Sequence, residues 1–224
     1  MTSSDAAYAT IRERVSAAAR RAGHPARVLA VSKTKPASSI RELAALGQLE
    51  FGENYVQEAL AKQRELGDLP LQWHLIGPLQ SNKCREVSEH FDWLESLDRE
   101  KLIAPLNRYR PEDRPALNLL IQVNIDAEAS KSGCAPGAVA GLARRVAEAP
   151  RLLLRGLMAI PEPHPDLAAR RAAFGRMREL FDDLRKDHPS ADTLSLGMSD
   201  DFELAIEEGA TLVRIGTALF GART

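Results

Sequence analysis

A lysine follows the first apolar run of the sequence, in the stretch RVLAVSKTKP. Residues 28–31 have the composition of a strand buried on both faces, and Lys33 comes directly after Ser32. An amine at the end of a buried strand loses solvation, which favours the neutral form that condenses with an aldehyde to a Schiff base. The alternative is a lysine whose side chain reaches water from the strand end. Lys33 is therefore a candidate nucleophile whose role depends on the groups around it.

Two turns late in the sequence are candidates for binding a phosphate group. In RIGTALFG, Gly216 and Thr217 follow an apolar run and begin a predicted short helix, where backbone N–H groups and a hydroxyl are available to an anion. In GMSDDFELAI, Gly197 permits a turn, Ser199 or Asp200 is expected to cap the next helix, and Ser199 offers a second hydroxyl. Ordinary helix capping explains either turn alone. Both turns together with a strand-end lysine favour a ligand that carries a phosphate.

A lysine, an aldehyde and a phosphate site together indicate pyridoxal 5′-phosphate as the ligand. A phosphorylated sugar in a Schiff-base aldolase fits the same three parts. Arg214 stands two residues before the second turn, where its side chain is expected to enter the mouth of a barrel and donate to an unprotonated pyridine nitrogen. An ion pair with Glu53 or Asp98 is the alternative role for this arginine.

The order of elements along the chain must bring these residues together. Helical patterns separate eight apolar runs that are predicted to be strands, namely residues 28–33, 49–53, 72–77, 92–98, 116–125, 152–160, 193–198 and 211–216. This alternation predicts an α/β fold, a single (β/α)8 TIM-type barrel with an extra N-terminal helix, forming one domain over residues 1–224. An open doubly wound sheet gives the same alternation, but the turn after the first strand lacks the glycines of a dinucleotide site.

Composition argues against several classes of partner. The 30 Lys and Arg residues against 31 Asp and Glu give a formal charge of −1, so no footprint for nucleic acid or an anionic membrane is indicated. Cys84 and Cys134 are isolated and the histidines lack ligand spacing, so no metal site or disulfide framework is expected. No run reaches the roughly 18 apolar residues of a membrane span, and the N-terminus lacks a signal-peptide core. We expect a cytoplasmic protein that binds a small molecule.

Long blocks of the sequence resemble the pyridoxal phosphate homeostasis protein family, whose members are single-domain relatives of the barrel half of bacterial alanine racemase. The blocks run through almost the whole chain and are AVSKTKP, FGENYVQEA, WHLIGPLQSNK, VNIDAEASKSGC, GLMAIP and LSLGMSDDFELAIEEGATLVRIGTALFG. The resemblance implies a protein of vitamin B6 homeostasis that binds pyridoxal 5′-phosphate without catalysing a reaction. Enzymes that depend on this cofactor are the expected recipients.

Carried over from the matching motifs, the resemblance implies a set of residues that contact the cofactor. They are Lys33, Asn54, His74, Met158, Ser199, Arg214, Gly216 and Thr217. Lys33 is implied to hold the cofactor covalently as a Schiff base, and Arg214 to face the pyridine nitrogen. Ser199, Gly216 and Thr217 are implied to bind the phosphate, and the other three to line the pocket. Those three also fit a helix cap or core packing.

Whether the chain also acts as an enzyme depends on the number of bases at the site. Inverting an amino acid requires a base on each face of the cofactor, and the resemblance implies that alanine racemase takes the second, a tyrosine, from a C-terminal domain and the partner subunit. This sequence ends at Thr224 after the eighth predicted strand, and its tyrosines are Tyr8, Tyr55 and Tyr109. We expect a non-catalytic, monomeric cofactor carrier, with a racemase of low activity and a cofactor-free lysine aldolase as alternatives.

Overall fold

Eight parallel strands pair in sequence order and close into a barrel. The computed structural model describes residues 3–128 and 132–221, so part of the block VNIDAEASKSGC lies outside the described residues. The strands are β1 (Arg27–Val31), β2 (Glu50–Glu53), β3 (Gln72–Leu75), β4 (Trp93–Leu97), β5 (Leu117–Gln122), β6 (Leu152–Met158), β7 (Thr193–Ser195) and β8 (Leu212–Ile215). Hydrogen bonds between β8 and β1 complete the ring. The closed barrel is confirmed, and the open-sheet alternative is wrong.

Helices follow the strands and cover the outside of the barrel. They are α1 (Ser3–Ala22), α2 (Ala37–Ala45), α3 (Val56–Glu65), α4 (Cys84–His90), α5 (Ile103–Tyr109), α6 (Val139–Ala147), α7 (Leu167–Asp187), α8 (Phe202–Glu207) and α9 (Thr217–Phe220). Short 3-10 turns at Ser81–Lys83, Glu100–Leu102 and Pro136–Ala138 lead into α4, α5 and α6. The extra N-terminal helix is α1, as predicted. Ion pairs from Arg14 to Glu203 (2.8 Å) and from Arg21 to Glu207 (3.0 Å) fasten it to α8.

The main hydrophobic core lies between the strands and the helices. Helix α6 shows why its sequence forms this layer, since Val139, Leu142 and Val146 recur at helical spacing and are buried, whereas Arg144 and Arg145 face solvent. Burying one such aliphatic side chain contributes about 1.5 to 3 kcal/mol. The side chains on the outward face of the strands are apolar, and they form the other side of this layer. This packing keeps the carboxyl ends of the strands at fixed positions.

A glycine in β6 allows the barrel to bend where the pairing of β5 and β6 shifts register. Leu119 pairs with Leu154, but Leu120 pairs with Gly156, which is a β-bulge. Gly156 has φ +143°, and a Cβ at this position would lie 1.9 Å from the carbonyl oxygen of Thr193. A side chain therefore cannot be accommodated there without moving β7.

The observed strands end earlier than predicted at the face where their carboxyl ends lie. β1 ends at Val31 and not at Lys33, and β7 ends at Ser195 and not at residue 198. Positive φ values turn the chain out of the sheet at Thr34 (65°) and Gly197 (84°). The prediction that Lys33 terminates a strand was therefore wrong, because this lysine lies in the following turn.

Cys84 on α4 and Cys134 in the segment after β5 are both buried, and they form no disulfide. Burial raises the pKa of the Cys134 thiol to about 11, so this group stays protonated at neutral pH. Across residues 3–128 and 132–221, the structure contains no helix with the length and apolar character needed to cross a membrane. The same residues include no group of three or more His, Cys, Asp or Glu side chains that could hold a metal ion.

Candidate functional site

The structure brings all of the predicted site residues to one face of the barrel. Three of them end or nearly end a strand: His74 in β3, Met158 in β6 and Arg214 in β8. Lys33, Asn54, Ser199 and Gly216 lie in the loops after β1, β2, β7 and β8, and Thr217 is the first residue of α9. Since parallel strands in a barrel end at the same rim, the loops that carry Lys33 and Thr217 become neighbours although 184 positions separate them in sequence.

A chain of hydrogen bonds crosses the interior of the barrel just below this face. Glu95 of β4 is fully buried and accepts hydrogen bonds from His74 Nδ1 (2.8 Å) and from Ser195 Oγ (2.7 Å). Arg214 Nη1 donates to the carbonyl oxygen and the hydroxyl of Ser195, at 2.8 and 2.7 Å. Its Nη2 donates to the carbonyl oxygen of Ala159 at 2.8 Å. The network joins four strands through side chains and fixes the orientation of Arg214.

Charge explains why this network is held together. Burial raises the pKa of the Glu95 carboxyl. The hydrogen bond and charge of His74, the charge of Arg214 and the hydrogen bond from Ser195 lower this pKa by more than burial raises it. The pKa of Glu95 therefore lies below its ordinary value. Burial lowers the pKa of Arg214, and the charge of Glu95 opposes that shift. Glu95 is thus the buried counter-charge of Arg214. The alternative ion pairs of Arg214 with Glu53 or Asp98 were wrong, because Glu53 binds Lys62 and Asp98 binds Arg99.

His74 has one ring nitrogen left over for a ligand. Its ring stacks on Trp93 with 5.0 Å between centroids and 7° between planes. A carboxylate can only accept a hydrogen bond, so Nδ1 of His74 carries the proton of its bond to Glu95, and Nε2 is the nitrogen left for a ligand. Nε2 is buried without a hydrogen-bond partner among the described residues, and so is Oδ1 of Asn54. Buried polar atoms without partners are rare in folded proteins and indicate a ligand or water.

Lys33 lies half-buried in the turn after β1, beside the start of α9. Within the described part of the chain, its amine has neither a hydrogen-bond nor an ion-pair partner. Together with Thr34, Gly216 and Thr217 it lines a small cleft between the two loops. The neighbouring Lys35 is engaged, since its Nζ donates to the carbonyl oxygen of Phe220 at 3.1 Å. The cleft therefore combines an available amine with the first turn of a helix.

The loop after β7 carries the second hydroxyl. Gly197 has φ +84°, and a Cβ there would lie 2.6 Å from Cβ of Ala205 in α8, so only glycine allows the loop to pass this close. Ser199 is half-buried and has no hydrogen bond among the described residues, which leaves its hydroxyl available. The prediction that Ser199 or Asp200 caps α8 was wrong. The N-cap is Asp201, whose carboxylate instead accepts the N–H of Met198 at 2.8 Å.

A larger cleft of about 580 Å³ lies at the opposite end of the strands. It is bounded by α1 and by the amino ends of β1, β2 and β3, with Arg27, Glu50 and Gln72 in its wall. None of the predicted site residues lines it, and it contains no lysine. The candidate site is therefore not the larger cleft, and the features that favour the rim are the free amine of Lys33 and the unpartnered atoms of Asn54 and His74.

Sequence reasoning missed Glu95 and Ser195, which orient two of the predicted residues. Glu95 sits in the run DWLESLD, where a carboxylate in an otherwise apolar strand was the available signal. Ser195 sits in TLSLGM and gives no such signal, because a serine in a strand is common. Only the closed barrel shows that these residues from β4 and β7 meet.

Comparisons with known proteins show the family of this chain. A family model described as the N-terminal domain of alanine racemase matches residues 7–224. The chain is 59% identical over 218 residues to the pyridoxal phosphate homeostasis protein of Pseudomonas aeruginosa, covering 96% of this chain and 94% of that protein. This chain belongs to the pyridoxal phosphate homeostasis protein family. The family member from Escherichia coli K12 is 53% identical over 221 residues, with coverage of 96% and 94%.

A solved structure related to the family shows the same architecture. PipY from Synechococcus elongatus, determined without PLP, is 40% identical and superimposes with a TM-score of 0.87, covering 96% of this chain and 98% of PipY. PipY with PLP bound superimposes with a TM-score of 0.81, covering 93% and 99%. These comparisons confirm the family and the barrel.

Replacing Glu95 by glutamine is expected to destabilise the protein in a pH-dependent way. Leaving Arg214 buried without its counter-charge should lower the free energy of unfolding by about 3 kcal/mol at neutral pH. Because the pKa of Glu95 is below its ordinary value of 4.5 in the folded state, its contribution is complete above that value and is lost as the pH falls through the folded pKa. The difference between wild type and Glu95→Gln should therefore shrink in acid.

Urea denaturation at a series of pH values measures this difference. Glu112→Gln, which changes an exposed carboxylate, is the matched control and should leave the stability unchanged at every pH. A difference for Glu95→Gln that stays constant down to acid pH would show that Glu95 is not ionised in the folded protein.

Proposed function

We propose that this chain binds pyridoxal 5′-phosphate through a Schiff-base link to Lys33 and serves vitamin B6 homeostasis in the cytosol. The observation that carries the proposal is the cleft in which the free amine of Lys33 faces Gly216 and Thr217. The names of the relatives from Pseudomonas aeruginosa and Escherichia coli support the same role, and so does PipY with PLP bound.

The residues present fit this cofactor. When bound, it supplies an aldehyde carbon that an amine can attack, with loss of water, and an aromatic ring that withdraws electrons. Lys33 offers the amine. Ser199, Gly216 and Thr217 offer hydroxyl and backbone N–H donors for the phosphate, and this combination at a strand-to-helix turn suits an anion. Asn54 and His74 each have a buried polar atom without a partner among the described residues, and these atoms would be available to polar groups of the ring.

Arg214 is suited to donate a hydrogen bond to the ring nitrogen because its known hydrogen bonds do not use all of its N–H donors. A guanidinium has five N–H donors, and three hydrogen bonds of Arg214 go to Ser195 and Ala159, which leaves two. A guanidinium donates hydrogen bonds and cannot accept one from a protonated ring nitrogen, so Arg214 would favour the unprotonated ring. An unprotonated ring is a weaker electron sink. A weaker electron sink favours retention of the cofactor over its reaction with an amino acid.

We further propose that the protein does not turn over amino acids. Tyr8 lies at the opposite end of the barrel, in the wall of the large cleft, and Tyr109 is on α5 beneath Arg85. Tyr55 follows β2 and is 64% exposed. The imidazole of His74 has a suitable ordinary pKa, but its ring is stacked on Trp93 and bonded to Glu95. We propose a monomer that gives the cofactor to enzymes that need it.

Reductive trapping is expected to label Lys33. After incubation with pyridoxal 5′-phosphate and treatment with borohydride, peptide mapping with fragment ions should place the pyridoxyl group on Lys33 and not on Lys35, whose amine is engaged by Phe220. Lys33→Arg should fold like the wild type and take up no label, because a guanidinium does not form the bond. Lys101→Ala, which changes an exposed lysine that does not line this cleft, is the control and should be labelled normally. Label confined to Lys35 would refute the assignment.

Thr217→Val is expected to weaken cofactor retention about tenfold or more, since a hydrogen bond to a charged group contributes about 1.5 to 3 kcal/mol. Valine keeps the shape of the side chain and removes only the hydroxyl. The loss should appear with pyridoxal 5′-phosphate and vanish with pyridoxal, which lacks the phosphate. Equilibrium dialysis of both ligands against both proteins measures this. Equal affinity of the wild type for the two ligands would mean that these turns only cap helices.

Amino-acid turnover is expected to be absent, because stereoinversion needs two positioned bases and each contributes about 10² to 10⁴-fold in rate. The cofactor-loaded protein is incubated with L-alanine in deuterated water, and the α-deuterium content and the D-isomer are measured. Deuterium without inversion fits a single base, Lys33. Accumulation of the D-isomer over many turnovers, lost in His74→Ala, would contradict the carrier proposal and support a racemase.

A further inference from the structure

The turn that carries Lys33 has an unusual backbone. The N–H of Lys35 donates to the carbonyl oxygen of Ser32 at 3.0 Å, which closes a β-turn with Lys33 and Thr34 at its centre. Thr34 has φ 65°, a conformation that glycine adopts easily and a β-branched residue rarely does. Something outside the turn must hold Thr34 in this conformation.

A carboxylate on the next helix supplies that restraint. Glu58 Oε1, in the first turn of α3, accepts the N–H of Thr34 at 2.5 Å. The same oxygen accepts Lys62 Nζ at 2.7 Å. The hydrogen bond fixes the direction of the peptide between Lys33 and Thr34, and therefore the direction in which the Lys33 side chain leaves the backbone.

The residue before Lys33 is held by the same cluster. Only 8% of the Lys62 side chain is exposed. Its Nζ donates to the carbonyl oxygen of Ser32 at 2.8 Å and to Glu53 Oε1 at 2.7 Å. Glu53 in turn accepts the Ser32 hydroxyl at 2.6 Å. Lys33 is thus flanked on both sides by backbone that one buried ion cluster restrains, while its own amine stays free.

We infer that Glu58 is a positioning residue for Lys33, acting through the Thr34 N–H and through Lys62. This rests on the proposed function, in which Lys33 is the residue that reacts. A restrained turn presents the amine to the cleft in one direction, which favours attack on an aldehyde by orientation. The competing explanation is that Glu58 only stabilises α3 through its i,i+4 ion pair with Lys62.

The test compares how fast Lys33 reacts in matched variants. Pyridoxal 5′-phosphate is added, the adduct is trapped with borohydride after timed intervals, and the Lys33 peptide is quantified by mass. Glu58→Ala should react about tenfold more slowly, as expected for loss of a hydrogen bond to a charged group. Glu58→Gln keeps a neutral acceptor of about half the strength, so about threefold slowing is expected. Glu65→Ala, on the same helix and exposed, should react like the wild type.

Two further measurements separate positioning from helix stability. Amide exchange in the absence of cofactor should be faster at Thr34 in Glu58→Ala, with the rest of β1 unchanged. A glycine at position 34 adopts positive φ without a restraint. Thr34→Gly should therefore restore most of the rate of Lys33 labelling in the Glu58→Ala background, although it does not stabilise α3. If the double variant stays as slow as Glu58→Ala, the inference is wrong.

The outcomes also separate this inference from the proposed function. No adduct on Lys33 of the wild type would refute the proposed function. If Lys33 is labelled at the same rate in the wild type and in Glu58→Ala, the positioning role is refuted and the proposed function is not. Should Glu58→Ala fail to fold, Glu58→Gln decides, because a wild-type rate in that variant would equally contradict the inference.

Discussion

The buried carboxylate of Glu95 is the interaction on which the interior of the barrel depends. A charge in the core of a protein is costly unless other groups pair with it, and here His74, Ser195 and Arg214 do so. The four residues come from β3, β4, β7 and β8, so their hydrogen bonds cross the barrel. Each of them has its side-chain orientation fixed before any ligand arrives. Removing the carboxylate would leave the arginine uncompensated.

A second ion cluster restrains residues on the outer side of the site. Lys62, Glu53 and Glu58 restrain the loop after β1 at Ser32 and at Thr34, and leave the intervening Lys33 free. The two clusters have different tasks. The inner one orients the donors at the floor of the site, and the outer one orients the amine at its rim. A site that is already arranged in this way loses little conformational entropy when it binds a ligand.

The sequence predicted the barrel well because strand and helix periodicity are local signals. All eight predicted runs overlap an observed strand, and α9 forms where RIGTALFG predicted a short helix. Prediction was poorer at the carboxyl ends of β1 and β7, where positive φ at Thr34 and Gly197 ends the strand within an apolar run. It missed Glu95 and Lys62 because their partners are distant in sequence. The eight predicted contacts to the cofactor remain predictions, although the structure gathers all eight at one rim.

We propose that this rim receives pyridoxal 5′-phosphate on Lys33 with the polar networks intact. A crystal structure of the chain with the cofactor is the most direct measurement of this arrangement. We expect continuous electron density from Nζ of Lys33, a phosphate beside Gly216 and Thr217, and Arg214 still bonded to Ser195 and Ala159. Cofactor density attached to another residue, or an Arg214 side chain released from Ser195, would contradict it.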